Sequence, residues 1–184
     1  MSFSPRLVAC AGACALVVSL AVASCGTSAT PGPTNANAPG AAPALEAMLP
    51  SSAGGLTFAK SSFDGAKVGE AGLPLDATTL DPVLKANGKT AADVSYAVAT
   101  APAPSGKLAT TVMAMRIAGV DAAITAGMSN GTLDGMTDGT LGGKKVKQGG
   151  QQGFWAVIYL KGDIMFEAMG ADLSTLEAVI AALP

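Results

Sequence analysis

Apolar and polar positions divide the chain into three stretches of different character. Leu7 to Val22 (LVACAGACALVVSLAV) is apolar and uncharged. Gly26 to Pro43 (GTSATPGPTNANAPGAAP) has no charge, no aromatic and no aliphatic side chain larger than Ala. From residue 44 onward, periodic apolar runs alternate with glycine and proline punctuation, which is the pattern of a folded domain.

Within that domain, Leu45, Met48 and Leu49 form a short helical pattern between Pro43 and Pro50. Gly54-Gly55 opens a strand over Leu56–Phe63. Asp81-Pro82 reads as a helix cap followed by proline at the first helical position, and Asn87-Gly88 as the end of that helix, with Leu80, Val83 and Leu84 buried. Val94–Thr100 and Leu108–Ile117 are strands rich in β-formers. Val120, Ala123, Ile124, Gly127 and Met128 recur at helical spacing and predict a helix face. Ser129–Gly143 reads as a loop, and Lys144–Gln148 as a short strand.

Phe154–Leu160 and Ile164–Met169 form a hairpin about Gly162-Asp163, a type II′ turn sequence. That turn sets Tyr159 opposite Phe166 and Ile158 opposite Glu167. Trp155, Val157, Tyr159, Ile164 and Phe166 then share one face, and Phe154, Ala156, Ile158, Leu160, Met165 and Met169 the other. Both faces are apolar, which places the hairpin inside a sheet covered on both sides. A final helix opens with Ser174 and Glu177 as a capping box and lines Leu176, Val179, Ile180 and Leu183 along one face. Strands and helices mix without strict alternation, so the expected class is α+β: a mostly antiparallel sheet of about six strands with helices packed on it. The order strand, strand, strand, helix occurs twice, over 56–128 and 144–183, and suggests a weak βββα duplication.

Composition narrows the chemistry. The chain has 184 residues, 13% of them charged, and a net charge of −2. Removing residues 1–24 takes away Arg6 and leaves 10 basic against 13 acidic side chains. This gives no electrostatic footprint for nucleic acid and no polybasic aid to membrane binding. There is no histidine, which removes the commonest metal ligand and the usual proton shuttle. The three cysteines are Cys10, Cys14 and Cys25. A chain starting at Cys25 keeps one of them, so no disulfide holds the domain together and the core must do so.

Met1–Arg6 is short and carries one positive charge, and with the apolar run after it has the layout of a secretory signal. The run is short against the roughly 20 apolar residues of a spanning helix. It ends in Val22-Ala23-Ser24-Cys25, and here the chain resembles bacterial lipoprotein precursors with a type II signal peptide. Their lipobox is an aliphatic residue, two small residues and a cysteine. The resemblance covers residues 1–25 and implies cleavage before Cys25, a diacylglyceryl group on its thiol, and acylation of the freed amine. Leu7-Val8-Ala9-Cys10 also fits the box but has no apolar run before it, and Ala11-Gly12-Ala13-Cys14 lacks the aliphatic residue. The competing reading is an ordinary cleavable signal or an uncleaved anchor helix with three incidental cysteines. The expected organisation is thus a signal peptide over 1–24, lipidated Cys25 and a disordered Ala/Pro/Gly tether over 25–43, and one globular domain over 44–184. Two or more acyl chains hold a protein stably to a membrane.

Other motifs carry little. Gly127-Met128-Ser129-Asn130-Gly131 matches G-x-S-x-G, but that elbow needs a strand-to-helix turn and a histidine base; helix-end punctuation explains it better. A P-loop needs glycine five residues before its G-K, where this chain has Ala101 and Asp138. Asn130, Asp134 and Asp138 are spaced by four, unlike the alternate-residue spacing of a calcium loop. Asn130-Gly131-Thr132 is a sequon with little meaning in a bacterial lipoprotein. Lys144, Lys145 and Lys147 read as lysines guarding a sheet edge, with anionic headgroups or wall polymer as the functional alternative. Glu167 is the carboxylate with the most apolar neighbours, either solvated at an edge or raised in pKa at a site. Met113, Met115, Met165 and Met169 fill a core or line an adaptable apolar pocket.

The expectation is a lipid-anchored extracytoplasmic lipoprotein whose domain is non-catalytic, binding an apolar small molecule or an envelope protein or serving the envelope structurally. It needs no cofactor and no metal, and takes no nucleic acid. The alternative is a carboxylate-dependent hydrolase of the cell envelope, which requires two acids facing each other.

Overall fold

The computed structural model describes residues 41–65, 77–103, 108–127, 135–151 and 153–184. Cys25, the leader and residues 26–40 of the expected tether lie outside these, as do Asn130, Asp134 and Met128, while Pro43 at the tether's expected end already belongs to a helix.

The domain is α+β. Seven antiparallel strands form one sheet, β3 (Ala59–Asp64), β4 (Val94–Ala101), β5 (Thr110–Ile117), β6 (Thr137–Leu141), β7 (Lys144–Gln151), β8 (Phe154–Lys161) and β9 (Ile164–Gly170), in the spatial order β3-β4-β5-β9-β8-β7-β6. A separate two-stranded ladder joins β1 (Ser52–Ala53) to β2 (Leu56–Thr57). The helices are α1 (Pro43–Ala47), α2 (Ala77–Ala86), α3 (Ala122–Gly127) and α4 (Leu173–Ala182).

The hairpin predicted around Gly162-Asp163 has the expected register, Tyr159 against Phe166 and Ile158 against Glu167. Two central residues fix the strand pairing, and Gly162 takes φ 61°, a left-handed value that costs glycine nothing. β9 is the middle strand of the sheet, with β5 on one side and β8 on the other. Alternate residues therefore feed two cores. Val112, Ala114, Val157, Phe166 and Ala168 enter the first; Tyr96, Met113, Met115, Ile158 and Met165 enter the second.

The first core is closed by α1 through Leu45 and by α4 through Leu176, Val179 and Ile180, with Leu183 beside them. The second is closed by α2 through Leu80 and Leu84, and by α3 through Ala126 with Val120 just before it. The order strand, strand, strand, helix does recur, in β3-β4-β5-α3 and β7-β8-β9-α4, and the two runs meet where β5 pairs with β9. Their helices lie on opposite faces. A two-fold axis that exchanges two antiparallel strands leaves the faces of the sheet unexchanged, so no rotation relates the runs and the expected duplication does not extend to packing.

Several sequence expectations are corrected. Asp81 does not cap α2, which begins four residues earlier at Ala77 and carries Pro82 inside it as the sixth of ten residues; the helix runs through the proline without its backbone donor, so that punctuation is misleading. The helix closes as expected, with the Lys89 N–H donating to the Leu84 carbonyl at 2.7 Å. The buried side of α3 is Ala122, Thr125 and Ala126, while Ala123 and Ile124 face outward. Asp172, not Ser174, caps α4: its carboxylate accepts from the Ser174 and Thr175 amides and from both hydroxyls. The stretch read as loop over 129–143 contains β6. Gly142 and Gly143 turn β6 into β7 with φ of 55° and 77°, and a Cβ on Gly142 would stand 2.6 Å from the Ala181 nitrogen of α4. Only glycine lets that turn touch the helix.

Candidate functional site

Glu167 sits at the centre of the sheet, on the face that forms the second core. It is 6% exposed. Directly across from it are Met113 on β5 and Ile158 on β8. Met165 and Met169 flank it on its own strand and point to the same face. The row continues to Val98 on β4 and Ser61 on β3 in one direction, and to Lys147 on β7 and Asp138 on β6 in the other. A carboxyl among thioethers and aliphatics loses hydration that it does not recover, and burial pushes the Glu167 carboxyl above the usual glutamate range. Among the described residues no donor reaches it.

Tyr96 lies on the adjoining row, fully buried and stacked on Phe63 with ring centroids 5.3 Å apart. Its hydroxyl donates to the Met113 Sδ at 2.6 Å. A thioether is a weak acceptor, so this phenol is only lightly held. Burial raises the Tyr96 pKa, and the Glu167 charge raises it further. The same face contains a third polar group. Thr125 is fully buried on α3, and its Oγ1 has no partner among the described residues. α3 packs on β5, β9 and β8, the strands that carry Met113, Glu167 and Ile158.

Glu167 is therefore not the solvated edge residue of the blander expectation. Its strand is central. Met113, Met115, Met165 and Met169 gather on one face, the first three buried and Met169 half-buried. Tyr96 and Thr125 escaped sequence reasoning. The alternation of β4 signals the buried tyrosine, but nothing local signals which helix residue turns inward.

The lysines divide three ways. β7 is not an edge, because β6 covers it. Lys147 pairs with Asp138 across the two strands at 2.9 Å, so the third oxygen of the calcium-like spacing is engaged by a cation. Lys145 is exposed on the same face. Lys144 turns to the other face and donates to the carbonyls of Ile180, Ala181 and Leu183 at 2.8–3.1 Å. It also stands 5.5 Å from the centre of the Tyr159 ring. It serves as a remote cation at the carbonyl end of α4, where the helix dipole favours positive charge.

The chemistry open to the Glu167 centre is that of a single buried carboxyl on an apolar face: burial favours its neutral form, which donates one hydrogen bond to a neutral acceptor. Among the described residues no group of three His, Cys, Asp or Glu side chains is placed to hold a metal, and no helix is long and apolar enough to cross a membrane. The motif at 127–131 begins at the last residue of α3 and otherwise lies outside the described residues. No family model matches the chain, and neither a curated protein nor a solved structure matches it.

Proposed function

We propose that the chain is a lipoprotein precursor, exported, cleaved before Cys25 and lipid-anchored there, whose 44–184 domain has a non-catalytic binding or envelope-structural role outside the cytoplasm. The observation that carries the address is Val22-Ala23-Ser24-Cys25 at the end of an uncharged apolar leader, followed at once by a tether without charge or bulk. The non-catalytic side of the reading is supported by the surroundings of Glu167. A hydrolase built on acids needs a second carboxylate facing the first, and the residues directly across from Glu167 are Met113 and Ile158. Thioethers that repack readily around a single hydrogen-bonding group suit an apolar ligand with one polar atom.

The anchor is tested by the mass and detergent partition of protein recovered from cells making the native chain or Cys25→Ser. The native protein gains lipid mass and partitions into the detergent phase, while the variant does neither. Equal masses and equal partition would defeat the anchor. Organic extraction of the purified native protein, followed by mass spectrometry, tests the binding role; an apolar molecule recovered in stoichiometric amount supports it.

A further inference from the structure

We propose that Met113, Met115, Met165 and Glu167 form a buried site for a soft monovalent metal ion of the Cu(I) type. This keeps the binding role proposed above, on which it rests, and names an ion in place of an apolar molecule; it does not need the lipid anchor. Strand register brings the four residues together. Met113 on β5 stands opposite Glu167 on β9, and Met115 opposite Met165. The two pairs are neighbours on one face, so Met113-x-Met115 confronts Met165-x-Glu167 as the corners of a rectangle. Its short sides are the cross-strand pairs, about 5 Å between Cβ atoms. Its long sides are two-residue steps along a strand, about 6.7 Å. The centre then lies about 4 Å from each corner. That is within the reach of a methionine sulfur two bonds beyond Cβ together with a metal–sulfur bond of about 2.3 Å.

The donors are enclosed and their backbone is fixed. None of the four is more than 6% exposed. Both strands are internal, β5 between β4 and β9, and β9 between β5 and β8. Ala114 and Phe166, between the corners, pack into the opposite core. One sulfur is already placed: the Tyr96 hydroxyl, on a ring stacked against Phe63, donates to the Met113 Sδ at 2.6 Å. A thioether that accepts one hydrogen bond keeps a second lone pair for a metal. Met169, half-buried two residues beyond Glu167 on the same face, offers a further thioether nearer to solvent.

Donor type selects the ion. Thioethers suit Cu(I), whereas hard divalent ions seek oxygen and zinc sites seek imidazole or thiolate. The expectation that the domain takes no metal rested on absent histidine and on acid spacing, and thioethers stand outside both. Charge points the same way. A face built only for packing gains nothing from a carboxyl that meets no donor among the described residues, and burying such a group unpaired is costly. One positive charge on the ion cancels the one negative charge of the Glu167 carboxylate. A divalent ion would leave a buried surplus. Any proton that Glu167 carries passes to solvent as the ion enters.

Anaerobic titration of the full-length chain in detergent tests this, with Cys10→Ser, Cys14→Ser and Cys25→Ser in place so that no thiol competes. Cu(I) is supplied as its acetonitrile complex against a coloured Cu(I) chelator. The chain should take one equivalent from the chelator, and X-ray absorption should show sulfur at about 2.3 Å from the metal. In NMR spectra the methyl signals of Met113, Met115 and Met165 should shift, and that of exposed Met48 should not. Met115→Leu and Met165→Leu preserve the packing of the face. Each should weaken binding by more than about tenfold, the least that even an outer partner of a metal is worth, while Met48→Leu should leave it unchanged. No uptake of Cu(I), an affinity unchanged in either of the first two leucine variants, or a first shell without sulfur would overturn the site. Organic extraction separates this site from the broader role: an apolar molecule recovered from a chain that takes no Cu(I) leaves the binding role standing and removes this site alone.

Discussion

The two faces of one sheet are covered in opposite ways. On the α4 side, four aliphatic side chains from a ten-residue helix meet Val112, Val157, Phe166 and Ala168. Both ends of that helix are held by side chains, Asp172 at the start and Lys144 at the finish. On the other face α2 contributes Leu80 and Leu84, but against β5, β9 and β8 the six-residue α3 brings two alanines and a threonine with no partner among the described residues, on a face rich in methionine that also carries a carboxyl. One strand, β9, supplies both: Phe166 and Ala168 point one way, Met165 and Glu167 the other. The difference teaches that stability and adaptability can be assigned to opposite sides of the same backbone by the parity of its residues.

The contrast can be broken most severely on the firm side. Phe166→Ala, at a fully buried ring stacked on Tyr159, should cost about 3–5 kcal/mol in urea unfolding. Lys144→Met keeps the stem but leaves three carbonyls without their cation, and should cost about 1–3 kcal/mol. Asp172 is held at a pKa of about 2 by the Ser174 and Thr175 hydroxyls and amides. It stabilises α4 above the ordinary aspartate value, and the contribution is lost as pH falls through about 2. Native melting temperature should therefore drop across that acid window, and Asp172→Ala should melt lower at neutral pH and lack this component of the drop. On the adaptable side, Met115→Leu should be the mildest, below about 1.5 kcal/mol, because the face repacks. A large loss there would mean that the methionine side is as tightly fitted as the other.

Much of the firm side was legible in the sequence. Gly162-Asp163 with alternating apolar residues fixed a register, and the i, i+3, i+4 spacing of Leu176, Val179 and Ile180 fixed a helix face. The adaptable side was not. The periodicity of α3 keys on Ile124, its one large apolar side chain, which is exposed; the buried set of Ala122, Thr125 and Ala126 lies two residues, about half a turn, from the expected face. Thr137–Leu141 offers one buried aliphatic, Leu141, because an edge strand needs little more, and it read as loop. Asp172 and Ser174 both fit a cap, and the carboxylate prevails by accepting four donors at once. That Glu167 would have apolar neighbours was legible. That its hairpin lies inside the sheet was legible too, from two apolar faces; which strand flanks β9 on its other side depends on the long-range pairing with β5, which no local pattern encodes.

That pairing has a consequence for assembly. β9 is the middle strand in space and the last of the seven in chain order. As a chain grows from its N-terminus, β3-β4-β5 and β6-β7-β8 can exist only as two separate ribbons, each with a bare inner margin, until residues 164–170 arrive to zip them together. A polypeptide halted before Ile164 should thus behave as a pair of sticky half-sheets, and completion of the fold is deferred until nearly the whole of it has been synthesised.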